Sequence, residues 1–149
     1  MAAPLEITLD GLSALARRRA AEIERLNFRQ PLEVSKLLII RATQLNFDRG
    51  QTPEGVTWLP LQRPRRRSKG RDLPLRDTGI LMASATGGAR RVERITNTEL
   101  VTGTNVEYAG FHQVGTRHIP ARPFLGFTPQ LVKDIDRAFT EFVEKQLGF

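Results

Sequence analysis

The chain has 149 residues, 40% apolar and 26% charged, with a net charge of +7 and no cysteine. That length suits one domain, 1–149, with a small core. The lack of cysteine excludes disulfides, thiol nucleophiles and cysteine-ligated zinc or iron–sulfur centres. The longest apolar run, LLII at 37–40, sits between Lys36 and Arg41, far short of the roughly 18 residues of a membrane span. The opening MAAPLEITLD lacks the basic and apolar regions of a secretory signal, and a chain that assembles in a reducing cytoplasm is expected.

In chain order, Leu5, Ile7 and Leu9 alternate with Glu6, Thr8 and Asp10, the period of a half-buried strand. Asp10 suits an N-cap. From Leu12 the period becomes helical, with Leu12, Leu15, Ala16, Ile23 and Leu26 on one face. After a break at 27–30, Pro31 suits the first turn of a second helix. Its predicted buried stripe is Val34, Leu37, Leu38, Arg41 and Leu45, and Gly50 is placed to end it. The short break predicts an antiparallel or sharply bent helix pair. Residues 50–79 lack periodicity and are rich in Gly, Pro and Arg, which predicts a long loop. Trp58, Leu59 and Leu61 are placed to pin its first part. Asp77 or Thr78 is a candidate cap for a short helix through Ile80, Leu81 and Met82. Two antiparallel strands are predicted at 90–96 and 99–104, turning near Asn97-Thr98, then a short helix around 106–113. Thr128-Pro129 makes a cap-and-first-turn pair for a last helix to about Gln146. Its stripe is Leu131, Ile135, Phe139 and Phe142, widened by Val132 and Val143. The expected class is α+β: a small antiparallel sheet packed against two N-terminal helices and a C-terminal helix, with a long basic loop at 50–76.

Little of this pattern carries catalysis. His112 and His118 are six residues apart across Gly115, unlike the helical pair of an HExxH zinc site. No GxSxG nucleophile elbow and no phosphate-binding GKS/T occurs. No enzyme activity, cofactor or metal is expected. The strongest physical signal is the basic part of the loop, 63–76, where seven cations face Asp72 alone for a net +6, leaving +1 for the rest. Arg63, Arg65, Arg66, Arg67, Lys69 and Arg71 are candidate contacts to nucleic-acid phosphates or to an acidic protein face. A solvated loop with no partner is the plain alternative. No aromatic residues interleave with these arginines, so base stacking is not expected. The segment YAGFHQVGTRHIPARPFLGF (108–127) holds a second kind of signal. Pro120 and Pro123 stiffen an extended arm that ends in Phe124, Leu125 and Phe127, and the GTRH tip is a plausible contact between subunits. Phe124 has an alternative place in the domain's own core.

Four pieces then resemble, in order, the phage virion morphogenesis family, the tail-completion proteins of Mu-like and related tailed phages. PEGVTWLPL (53–61) resembles its Pro-Asp-Gly, Trp, Pro-Leu element, and LRDTGILMASAT (75–86) its Leu-x-x-Thr-Gly-x-Leu-x-x-Ser element. VTGTN (101–105) with YAGFHQVGT (108–116) resembles Tyr-Ala-x-x-His-Gln-x-Gly. IPARPFLGF (119–127) matches Ile-Pro-Ala-Arg-Pro-Phe-Leu-Gly. The resemblance covers about 45–147 and implies a non-enzymatic structural protein of the virion neck or tail end. Such proteins join head and tail, usually as rings. The implied partners are copies of itself, six by the symmetry of such tails, tail tube or head connector proteins, and genomic DNA in the channel, with no membrane. The implied place is the virion, reached from the host cytoplasm. Trp58, Tyr108, His112, Arg117, His118, Arg122 and Phe124 are the candidate intersubunit contacts. A small basic DNA-binding protein acting through 63–76 is the alternative.

Overall fold

The computed structural model of the protein describes residues 14–63 and 72–148, with side chains from Arg18 onward. The expected strand at 5–9 and the Asp10 cap lie outside the described residues, as do Arg65, Arg66, Arg67, Lys69 and Arg71. The described elements are α1 (Ala14–Glu24), α2 (Arg29–Arg49), α3 (Ile80–Thr86), β1 (Arg91–Ile95), β2 (Leu100–Thr104), α4 (Ala109–Val114) and α5 (Pro129–Leu147). They make an α+β fold, as expected from the sequence.

Local chemistry sets most element ends. Gly50 closes α2 at φ 62°, with its N–H donating to the Asn46 carbonyl, a left-handed cap that glycine enters without strain. Thr128 Oγ1 accepts from the Leu131 N–H at 3.1 Å and Pro129 opens α5. At the hairpin turn the Thr96 N–H donates to the Glu99 carbonyl at 2.8 Å. The start of α3 differs from expectation. Neither Asp77 nor Thr78 is the cap residue; Gly79 is, at φ 79° and with no side-chain cap bond. The chain enters this helix through a left-handed step, which a Cβ-bearing residue resists.

The buried face of α2 is the main correction. Leu32, Ser35, Thr43, Asn46 and Phe47 are buried, whereas Leu37 is 62% exposed and Val34 and Leu45 also face outward. The stripe richest in carbon is not the one that meets the rest of the chain. Polar residues are tolerated inside because they are bonded: Ser35 Oγ donates to the Pro31 carbonyl at 2.8 Å and Thr43 Oγ1 to the Ile39 carbonyl at 2.9 Å.

α5 lies along α2. Phe28, at the start of α2, meets Phe139 and Phe142 with ring centroids 5.9 and 5.8 Å apart. Asn46, near the end of α2, bonds to Phe124, just before α5, so the two helices run antiparallel. Leu131 is buried, and Val132 faces outward instead of widening the stripe. The hairpin pairs Arg91 with Thr104 and Ile95 with Leu100 and rests on α2 and α3. Among the described residues α1 makes no extensive contact with another element, so of the two arrangements expected for the helix pair the closely packed antiparallel one is not seen. The hairpin's inward face carries Ile95 and Leu100 and is docked by polar contacts. Lys36 Nζ bonds Glu93 at 3.0 Å, Arg91 donates to the Ala85 carbonyl at 3.1 Å, and Ser84 and Thr104 hydroxyls meet at 2.6 Å.

Phe47, Trp58, Leu75, Leu81, Ala85, Val106, Ala109 and Phe124 form the core. The Phe47 ring lies 5.6 Å from Trp58 and 5.3 Å from Phe124. Leu75 enters the core at φ 61°; its burial offsets a backbone cost of about 1–2 kcal/mol. Replacing Phe47 with alanine is predicted to cost about 3–5 kcal/mol, and Leu37→Ala less than about 0.5 kcal/mol. Urea midpoints of the two variants check this, and a larger loss at Leu37 would restore the stripe read from the sequence.

Candidate intersubunit surface

The segment 122–125 crosses the interior extended, and among the described residues no strand runs beside it. A buried backbone must still be hydrogen-bonded, and here side chains do most of the bonding. The Arg122 N–H donates to the His112 carbonyl at 2.7 Å. Trp58 Nε1 donates to the Pro123 carbonyl at 2.8 Å and Asn46 Nδ2 to the Phe124 carbonyl at 3.1 Å. Gln113 Oε1 accepts from the N–H groups of Phe124 and Leu125, at 3.1 and 3.2 Å, while its Nε2 donates to the Leu125 carbonyl at 2.6 Å. Pro123 has no N–H to satisfy.

Arg122 laces the same arm to the 58–61 loop. Its Nε donates to the Leu59 carbonyl at 2.7 Å and its Nη2 to the Pro60 carbonyl at 3.0 Å, and the residue is 5% exposed. Three of the expected contact residues, Trp58, Arg122 and Phe124, are therefore buried inside their own chain and hold the arm in place. The large aromatic area that suggested an interface is used by the core, the alternative already open for Phe124. Leu59, expected to pin the loop, is exposed; its carbonyl carries the contact.

The other expected contacts reach the surface. Thr116 Oγ1 accepts from the N–H groups of His118 and Ile119, at 3.1 and 3.0 Å, and the Thr116 N–H donates to the Ile119 carbonyl. This turn holds Arg117 and His118 out in solvent. It depends on Gly115, at φ 77°, where a Cβ would lie 2.8 Å from the Ala121 nitrogen. Tyr108 is exposed and stands edge-on to His112 at 6.0 Å. Both line a cavity of about 440 Å³ with Leu61, Leu75, Ile80 and Arg122. His112 Nδ1 is buried without a hydrogen-bond partner. Burial, helped by the Arg122 guanidinium, lowers the His112 pKa from its ordinary 6.5. Arg63 is exposed at the edge of the basic stretch. Among the described residues no cluster of His, Asp or Glu could hold a metal ion, and no helix is long and apolar enough to cross a membrane.

Sequence reading missed several participants. Asn46 and Gln113 hold the arm, and both have a legible signal: an amide beside a buried aromatic or within an otherwise apolar motif needs a partner. Phe111 and Val114 on α4, Val56, and Phe127 are large apolar residues left outside, with Val114 77% and Phe127 68% exposed. Their exposure has no signal in the sequence, since periodicity places apolar residues inside by default.

Arg122→Met is predicted to strand two carbonyls and to cost about 1–3 kcal/mol for each. Arg122→Lys should not restore it, because an ammonium lacks the planar fork; thermal unfolding of both variants tests this. The His112 imidazole is more readily protonated in the unfolded chain. Its contribution to stability is therefore present above the unfolded pKa, near 6.5, and is lost as pH falls through the lower folded value. His112→Gln should flatten the part of the stability–pH curve below 6.5, measured by urea unfolding across that range.

The elements that bear these residues match known proteins. The sequence model of the phage virion morphogenesis family matches residues 10–144. Two curated proteins of Haemophilus influenzae are similar. Mu-like prophage FluMu G protein 2 is 45% identical over 69 residues, 42% of this chain and 46% of that protein. Mu-like prophage FluMu G protein 1 is 33% identical over 93 residues, covering 60% of this chain and 61% of that protein. The chain thus spans about half to three fifths of the length of these relatives. No solved structure matches. With the family match running through every described element that builds the arm and its cradle, the chain belongs to the phage virion morphogenesis family.

Proposed function

We propose that this chain is a structural part of the virion neck or tail end, where copies of it form a ring that helps join head and tail. The observation that carries the reading is where the family's motif residues go. Trp58, Gln113, Arg122 and Phe124 build a rigid frame and hold no reacting group. The frame presents Arg117 and His118 on a fixed turn and leaves Val114 and Phe127 uncovered. Uncovered large apolar residues on a small domain favour burial against another protein. A head-to-tail ring uses two different patches on each copy, and the 115–127 arm and the 50–63 loop offer them. The partners on this reading are further copies, tail tube or head connector proteins, and DNA in the channel.

A second reading rests on the concentrated charge of 63–76: the chain binds DNA on its own through phosphate contacts. It predicts duplex binding by the isolated monomer that weakens steeply with salt and with neutralisation of Arg65, Arg66 and Arg67. No binding at low salt would remove it. The ring reading predicts that phage lacking this protein accumulate heads and tails unjoined, seen by electron microscopy. Fully joined, infectious particles from the deletion would overturn it.

A further inference from the structure

The hairpin has an open edge, and its hydrogen-bond phase identifies the groups on it. The Thr96 N–H donates to the Glu99 carbonyl at the turn, and the Asn105 N–H to the Arg90 carbonyl at the far end. Bonded and non-bonded pairs alternate between these points. With the observed register, Val101 and Gly103 point their backbone groups at β1, and Leu100, Thr102 and Thr104 point theirs away. No hydrogen bond among the described residues engages the outward backbone groups of those three. The β1 edge is partly covered, since Arg29 Nη1 donates to the Ile95 carbonyl at 3.3 Å. Every residue of β2 is half-exposed, and Val92 and Val101 share, with Arg94 and Gly103, the face turned away from Arg91, Glu93, Ile95, Leu100, Thr102 and Thr104. A two-stranded hairpin with unpaired groups along one edge is marginal alone and invites a third strand.

We infer that the β2 edge receives the N-terminal segment Leu5–Leu9 of a neighbouring copy; this rests on the ring reading above. Three observations select that occupant. The segment alternates Leu5, Ile7 and Leu9 with Glu6 and Thr8, the pattern an added strand needs. Placed with its apolar residues beside Val101 and Val92, it puts Glu6 and Thr8 on the face that carries Arg91 and Thr102, as the pleat requires. Among the described residues α1, eleven residues long and next after that segment, makes no extensive contact with another helix or strand. A helix that short is marginal unless something outside supports it. Finally, the segment after α1 is tied to the hairpin turn, where the Phe28 N–H donates to the Asn97 carbonyl at 2.9 Å. The stretch that follows α1 is therefore anchored at the turn end of the hairpin.

The chain has no cysteine, so the full-length protein is its own background for cross-linking. Chains carrying only Leu5→Cys, Ile7→Cys or Leu9→Cys are mixed with chains carrying only Val101→Cys and oxidised. At least one mixture should give a disulfide-linked pair as its main product. Thr102→Pro removes an outward N–H without touching the ladder and should lower that yield at least tenfold, while Thr102→Val, which keeps the N–H, should not. No linked pair from any mixture, or a bond only within one chain when both cysteines share it, overturns the inference. Native mass spectrometry separates this from the ring reading. A wild-type ring that persists unchanged after deletion of residues 1–10 overturns the edge alone, and a wild-type chain that stays monomeric overturns both.

Discussion

An extended arm buried with no strand beside it is the constraint on which the rest of this structure depends. Its backbone groups are held by Trp58, Asn46 and Gln113, and its arginine returns the favour by bonding the Leu59 and Pro60 carbonyls. Each of these side chains comes from a different element: α2, the loop after it, α4 and the arm itself. Losing any one strands a buried polar group, which costs more than the bond alone is worth. The same bonds place Phe124 against Phe47, whose ring also meets Trp58, so hydrogen bonding and aromatic packing fix one geometry together.

That geometry explains why so small a core can organise long stretches without helix or strand. Gln113 serves three backbone groups from one side chain, which sets α4 against the arm. Gly126 allows the loop to close on the arm, since a Cβ there would lie 2.7 Å from Pro53 Cγ. The turn at Thr116 then projects from a rigid base. Residues at such a turn can contact another protein without first being ordered, which lowers the entropic cost of association.

The hairpin shows the opposite arrangement. Its inward side carries a polar network linking Arg91, Glu93, Lys36, Ser84 and Thr104 beside Ile95 and Leu100, and Val92 and Val101 lie on the other face. The Lys36 pKa is raised by hydrogen bonds to Glu33 and Glu93, and that of Glu93 is lowered by hydrogen bonds to Arg91 and Lys36, so the network holds its charged forms at neutral pH. A sheet built this way gains specificity of docking onto α2 and α3 and leaves its hydrophobic surface for something else to cover.

The sequence by itself determined the elements that depend on neighbours in the chain. Gly50, Thr128-Pro129 and the turn near Asn97-Thr98 specify ends through local φ and capping bonds, and those ends stand where they were read. The α+β class and the family motifs were legible for the same reason, as ordered local patterns. Trp58 pins the loop, as its place in the sequence led one to expect, but the face of α2, the burial of Arg122 and the polar contacts under the hairpin were decided only in three dimensions. Periodicity states that a helix has an apolar side but not which side finds a partner. Val34, Leu37 and Leu45 obey the helical spacing yet stay exposed, and Asn46 is buried where it meets the Phe124 carbonyl, which arrives from 78 residues away.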